Sequence, residues 1–277
     1  MTPRLSGKSQ GVIGLLLIAV FWPLNWLLPG LRTAYLFFPL WLGYILFVDT
    51  LVFRRRGTSL YTRSRAEFWT FFLISAPAWW LFEVINWRTK NWQYLGGETF
   101  SGLEYFLLSS ISFSTVMPAV FETAELARTF QWIDRLKPGR RIEATNAVCL
   151  SFLAAGLVML ALTMIWPQAF YPLVWGAIVL VLEPANIWLG RPHFLEWLRE
   201  GDWRPVISLA LGALICGFFW EMWNFKSWPK WIYHTPGAEF LYVFEMPMLG
   251  FLGYLPFAWE LFSLRSLLWP SAIRLRL

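Results

Sequence analysis

The sequence predicts an all-α integral membrane protein of eight transmembrane helices, built as two parallel four-helix repeats. Three observations predict it. Hydrophobic residues make up 57% of the 277 residues and charged residues 14%, against about 25% charged in soluble domains; mean hydropathy is +0.50. The apolar residues fall into eight runs, about 11–29, 34–53, 67–86, 103–126, 146–166, 170–189, 205–225 and 239–264. Each approaches or exceeds the roughly 20 residues that a helix needs to cross ~30 Å of hydrocarbon. Finally, a shift of 138 positions carries Glu83, Asn86, Phe106, Phe113, Pro118 and Glu122 onto Glu221, Asn224, Phe244, Phe251, Pro256 and Glu260. With one residue inserted in the loop between, Trp92-x-Tyr94 falls on Trp231-x-Tyr233. Rare Glu, Asn and Pro pairing in one register is the mark of an internal duplication, here 1–138 and 139–277.

The basic residues fix an expected topology. With a cytoplasmic N-terminus, all but Arg32, Arg88, Lys90, Lys226 and Lys230 of the 23 Lys and Arg fall on the inner side, as the positive-inside rule requires. Both termini are then cytoplasmic in a multi-pass protein of a bacterial inner (plasma) membrane. Twenty Trp and nine Tyr cluster near run ends, as in an interfacial aromatic belt. The net charge of +6 reflects this topology and anionic lipid, not nucleic acid.

In chain order, the first run lacks a small-residue cleavage site and carries Pro23 and Asn25, so it is read as a retained helix. The second ends in VDTLVFRRRGTSL and the sixth in VLEPANIWLGRPHFL, which aligns Asp49 with Glu183. The third ends at Glu83 and Asn86, and the seventh at Glu221 and Asn224; the i, i+3 spacing puts acid and amide on one face. Glu104 and Glu245 open the fourth and eighth, where a carboxylate suits the helix dipole. In both of these runs a proline precedes an acid by four residues, Pro118–Glu122 and Pro256–Glu260, and is expected to kink the helix. The polar link 127–146 joins the halves. Residues 191–204 are expected to form an amphipathic surface helix with Phe194, Leu195, Trp197 and Leu198 facing lipid. Cys149 and Cys216 sit singly in different runs and are read as packing residues, as are Gly212, Gly217, Gly250 and Gly253.

Ionisable groups inside membrane helices are costly and each needs a reason. Topology sorts them into two layers. The outer layer holds Glu83, Asn86, Tyr94, Glu221, Asn224, Tyr233 and Glu245 as catalytic candidates, with Trp92, Trp231 and His234 beside them. One reading is a pair of Glu-Asn-Tyr pockets in which a desolvated Glu is a general acid; the other is that these side chains tie down the loop that follows each helix. The inner layer holds Asp49, Glu122, Glu183 and Glu260 with Arg191 and Arg54–Arg56 nearby. It reads as a charged cleft for a polar head group, proton or cation, or as interfacial ion pairs. His193 and His234 lie on opposite sides and no Cys/His cluster exists, so no metal is expected. Magnesium–diphosphate motifs of the DDxxD type are missing, which argues against prenyl transfer.

The order acid, Trp-x-Tyr, glycines, Pro-x-x-x-Glu resembles the lycopene cyclase domain of heterodimeric-type carotenoid cyclases, which also duplicate a small helical unit. Matching elements are Glu221, Trp231, Tyr233, Gly250, Gly253, Pro256 and Glu260, with Glu83, Trp92, Tyr94, Pro118 and Glu122 in the first half. They span roughly 45 residues of each repeat. LPFAWE departs from that family's Pro-x-Glu-Glu signature in having one acid, and the repeat has four helices where the family has three. The resemblance implies acid-catalysed rearrangement of an isoprenoid without a cofactor. The FEMP…LGYLPF…E string also resembles bacterial polytopic membrane proteins, a likeness that brings no function. Three classes follow: an enzyme acting on a lipid or isoprenoid, a proton- or cation-coupled transporter or channel, and a non-catalytic subunit that packs lipid, pigment or partner membrane subunits.

Overall fold

The computed structural model describes residues 3–270 and 275–277, with the side chains of residues 3–8 excepted. The side chains of Arg4 and Lys8, and the whole of Arg274, of the inner basic set therefore lie outside what is described. Two long helices open the chain, α1 (Pro3–Leu27) and α2 (Thr33–Arg56). After the single turn α3 (Leu60–Arg63) comes α4 (Arg65–Thr89), capped by the Ser64 hydroxyl, then strand β1 (Trp92–Leu95). A Ser101–Glu104 capping box starts α5 (Gly102–Phe113), which is followed by α6 (Val116–Ala127) and the short α7 (Gln131–Asp134). The second half runs α8 (Asn146–Ile165), α9 (Pro167–Phe170), α10 (Val174–Trp188), α11 (Leu195–Arg199), α12 (Arg204–Phe225) and β2 (Lys230–Tyr233). It closes with the two-residue strands β3 (Tyr242–Val243) and β4 (Met246–Pro247), a 3-10 segment Met248–Gly253, and α13 (Tyr254–Leu268).

Among the described residues, seven helical stretches are long and apolar enough to cross a membrane: 9–27, 33–56, 65–89, 102–127, 146–165, 167–188 and 204–225. The eighth expected span is not one continuous helix. Residues 239–253 are spent on the β3–β4 hairpin and the 3-10 segment, so α13 has only 15 residues. Proline accounts for where it begins. Pro256 lacks the N–H that would bond the carbonyl four residues back, at Leu252. Pro118 has the same relation to Ser114, where the fourth span breaks between α5 and α6. That break is bridged from α4: the Ser75 hydroxyl donates to the Phe113 carbonyl at 2.6 Å and accepts from Met117 N at 3.0 Å.

Tryptophan fills the centre. Trp41 of α2 is fully buried against Trp220 and Trp223 of α12, with ring centroids 5.1 and 4.9 Å apart. Phe71 of α4 meets Phe121 of α6 at 5.0 Å, and Phe82 of α4 meets Phe257 of α13 at 5.4 Å. Helix packing repeats in kind along the chain. α1 lies on α2 as α8 lies on α10, α2 on α6 as α10 on α13, and α4 on α6 as α12 on α13.

The expected amphipathic surface helix is overturned. Only Leu195–Arg199 is helical, and Leu195 and Leu198 are buried in a satellite core with Val206 instead of facing lipid. Backbone bonds from Gly139 N to Gly201 O (2.8 Å) and Ile142 N to Leu198 O (3.0 Å) fasten the 127–146 link onto this segment. The expected packing glycines are found in close contacts. A Cβ on Gly212 would lie 2.7 Å from Ala124 N and 2.8 Å from Val120 O, so α12 and α6 touch backbone to backbone there. Gly212→Val is therefore expected to cost about 1–3 kcal/mol by overpacking, read as a lower unfolding midpoint. Gly176→Ala, whose new methyl would meet only the Met159 terminus at 3.4 Å, is the control that should not lower the midpoint.

Candidate functional site

The site is assembled where α4 and α12 end. After Thr89 the chain reverses through Lys90, which holds a left-handed φ of 54°. Asn86, one turn back, clamps the reversal: its Oδ1 accepts from Asn91 N (2.9 Å) and Trp92 N (3.3 Å), and its Nδ2 donates to the Trp92 carbonyl (2.8 Å). Asn224 does the same for the second loop, accepting from Trp231 N (3.0 Å) and donating to Trp231 O (2.7 Å). Both amides are thus occupied by backbone. Loop-tying, one of the two readings the sequence left open, describes Asn86 and Asn224.

The two loops so formed pair with each other. β1 and β2 run antiparallel, with Trp92 opposite Tyr233 and Tyr94 opposite Trp231. Residues i and i+2 of a strand share a face, so each Trp-x-Tyr presents both rings together, and each returns to the acid of its own helix. Glu83 Oε1 accepts from Tyr94 OH (2.6 Å), Trp92 Nε1 (3.1 Å) and Trp79 Nε1 (2.8 Å). Glu221 Oε1 accepts from Tyr233 OH (2.7 Å) and Tyr254 OH (2.8 Å), while Trp231 Nε1 donates to the Tyr233 oxygen (2.9 Å). Burial raises the Tyr94 and Tyr233 phenols well above their usual range, and the adjacent carboxylates push them further. Both remain neutral donors at physiological pH.

Tyr254 and Trp79 are the functional residues that the motif reading missed, and they replace one another. Trp79 stands four residues before Glu83, on the same helical face. The position 138 residues on is Gly217, and a Cβ there would lie 2.4 Å from the Tyr254 ring. The first half thus supplies a donor from its own helix; the second leaves a gap that α13 fills with Tyr254. The spacing Trp79-x-x-x-Glu83 is a readable signal for the first, whereas Tyr254 lies outside the repeated positions.

These side chains wall a single cavity of about 540 Å³ that both halves line, where the sequence suggested two pockets. Five tryptophans and five tyrosines are in its wall, among them Trp79, Trp92, Trp231, Tyr94, Tyr233 and Tyr254. The carboxyl groups of Glu83 and Glu221 are one side chain behind that wall. Among the described residues, Lys230 is the only charged one of the lining, and its ammonium is paired with Glu245. Leu249 and Leu252 belong to the wall and are also exposed on the outside of the molecule. Other candidates are placed elsewhere. Glu245 sits in the β3–β4 turn, not at a helix start. His234 is exposed, 3.0 Å from Glu239, and its amide extends the strand pairing by donating to Asn91 O (2.7 Å).

The inner acids do not form the expected cleft. Asp49 accepts from Ser59 Oγ (2.8 Å), Tyr61 N (3.0 Å) and Gln10 Nε2 (3.3 Å). Glu183 accepts from Ser263 Oγ (2.5 Å) and Phe194 N (2.9 Å), and Glu260 from Ile178 N (3.2 Å). Glu122 is fully buried beside the Asp49 carboxyl and accepts from no N–H or hydroxyl donor among the described residues. Arg191 bonds the Leu267 carbonyl, and Arg56 the carbonyls of Arg128 and Arg276. Acids and arginines that are neighbours in sequence therefore satisfy different partners. The inner ion pairs use other residues, Arg63 with Glu125 and Arg265 with Glu67. No group of His, Cys, Asp and Glu among the described residues is arranged to hold a metal ion.

Fold and site together define a multi-pass α-helical membrane protein with an aromatic cavity backed by buried carboxyls. The chain matches no protein-family model, no curated protein and no solved structure.

The Gly217–Tyr254 contact can be tested by a double-mutant cycle. Tyr254→Phe removes one hydrogen bond to a carboxyl group, about 1.5–3 kcal/mol if Glu221 is charged. Gly217→Ala should displace the same ring at a similar cost. Because both changes break one interaction, the double variant should lose clearly less stability than the two single losses added; additive losses would separate them.

Proposed function

We propose that the protein is a cofactor-independent membrane enzyme that acts on a lipid- or isoprenoid-class molecule held in the 540 Å³ cavity. The observation that carries this reading is the pairing of neutral phenols with carboxyl groups in an otherwise apolar, aromatic wall. Binding pockets are mostly apolar with a few convergent polar groups, at volumes of about 300–1,000 Å³. Glu83–Tyr94 and Glu221–Tyr233, with Tyr254, are the acid–base pairs. Each is a two-oxygen relay: the phenol's own proton moves to the carboxylate that accepts it as the phenol oxygen takes a proton from the substrate, and the reverse steps return one to it. The exposed apolar surface around Leu249 and Leu252 supports entry from the bilayer, and the resemblance to carotenoid cyclases supports proton-driven isoprenoid chemistry.

The finer architecture belongs to the same proposal. Residues 1–138 and 139–277 are repeats about a pseudo-two-fold along the membrane normal, with α13 and the segment before it in place of an eighth span. The self-complementary register of Trp92-x-Tyr94 against Trp231-x-Tyr233 supports this axis. The β1–β2 end then faces outward, since it carries the five basic residues that the positive-inside rule leaves out.

Incubating purified protein in nanodiscs and analysing the bound apolar molecules over time tests the enzyme. Wild type should carry a specific lipid or isoprenoid and convert it, whereas Glu83→Gln/Glu221→Gln should leave unconverted whatever it binds, with at least a hundredfold loss of rate. A bound molecule that wild type leaves unchanged would favour a packing subunit. One observation favours a second reading, proton- or cation-coupled transport: Glu122 is a carboxyl buried among helices beside the Asp49 carboxyl, with no N–H or hydroxyl donor among the described residues, where membrane acids commonly carry protons. A proton-coupled flux in liposomes, lost in Glu122→Gln and retained in Glu83→Gln/Glu221→Gln, would establish that reading over the enzyme.

A further inference from the structure

Glu83 and Glu221 lack a counter-charge. All of their side-chain hydrogen-bond partners are uncharged tyrosines and tryptophans, and neither takes part in an ion pair among the described residues. Glu221 is completely buried, and its Oε2 has no hydrogen-bond partner. The one cation in the wall, Lys230, is already committed to Glu245. A buried carboxylate without a compensating cation is destabilising by several kcal/mol.

What stands between these acids and the cavity is aromatic. Tyr94, Tyr233 and Tyr254 each donate their hydroxyl to a carboxyl oxygen, which polarises the phenol and makes its ring richer in electrons. Such rings attract cations through their quadrupole, most strongly where water is excluded. A neutral hydrocarbon would use the shape of this wall and nothing of its charge. A compact inorganic cation would find no carboxylate oxygen in the lining, since Glu83 and Glu221 lie behind the rings.

Resting on the reading of this cavity as the ligand site, we propose that it selects a lipophilic organic cation, one whose positive charge is quaternary or delocalised on an apolar body. The ligand's charge offsets Glu83 and Glu221 through the intervening rings, and its apolar body fills the cavity. The class includes quaternary ammonium and phosphonium amphiphiles and excludes anionic ones.

Tetraphenylphosphonium is the probe, with geranylgeraniol as its neutral counterpart and tetraphenylborate as its anionic one. Binding is measured by equilibrium dialysis against detergent-solubilised full-length protein and corrected for empty micelles. Tetraphenylphosphonium should bind, and Glu83→Gln/Glu221→Gln should weaken it at least tenfold while leaving geranylgeraniol within twofold. Glu245→Gln, which frees the Lys230 charge without touching either acid, should also weaken the cation and spare the alcohol, so a failure of the double variant to fold leaves the test intact. Cation binding indifferent to a folded Glu83→Gln/Glu221→Gln protein and to Glu245→Gln, or equal binding of tetraphenylborate, overturns the inference. If geranylgeraniol alone binds, cation selection fails and the lipid-cavity reading survives; if no probe binds wild type, both fail.

Discussion

Non-helical backbone that is shut off from water must satisfy its hydrogen bonds within the protein. This constraint shapes the site more than any acid does. Beyond α4 and α12 the chain leaves helical geometry, and its freed N–H and C=O groups have to be met at once. Asn86 and Asn224 meet the first of them from one turn back, and the strands meet the rest by pairing with each other. Only then do Trp92 and Tyr94 stand where their polar ends reach Glu83, and Tyr233, with Trp231 on its oxygen, where it reaches Glu221. The carboxyl groups are held by aromatic donors that an amide clamp and a four-residue ladder have placed.

The inner acids are satisfied by a different chemistry. Asp49 and Glu183 each take a backbone N–H from the segment that follows their helix together with a side-chain hydroxyl. They fasten connections much as Asn86 and Asn224 do. Four of the polar side chains near the helix ends thus work as ties, which leaves Glu83 and Glu221 distinct: their donors are side chains, and those side chains wall a cavity.

The membrane class and the recurrence of one motif at the ends of α4 and α12 were legible in the sequence for specific reasons. Charge is too costly inside a bilayer to be scattered, so Arg32, Arg88, Lys90, Lys226 and Lys230 report an end of the molecule by their rarity. Glu and Asn recurring at the 138-residue shift report a device kept in both halves. Hydropathy could not report helix continuity: residues 239–253 are apolar enough for a span, yet Pro256 and the hairpin make α13 begin late. Amphipathic patterning likewise put Leu195 and Leu198 toward lipid, because periodicity marks an apolar face without naming what covers it. The single cavity was hidden for a geometric reason. Two motifs 138 residues apart read as two sites until strand pairing puts them in one wall.

The most informative positions are those where the proposed repeats disagree. A strictly two-fold cavity would hold its ligand in two equivalent poses and present the same donors to both ends of it. Here Trp79 faces Glu83 from within α4, whereas Gly217 yields its place to Tyr254 from α13. The helix α5 on one side has only the hairpin and a 3-10 segment opposite it. One acid is therefore served by two indoles and one phenol, the other by two phenols. Two phenols can exchange protons on both sides of Glu221, whereas indole N–H groups can only donate. If the cavity is catalytic, Glu221 is the chemically versatile half and Glu83 the fixed one, a division of labour that duplication alone could not have supplied.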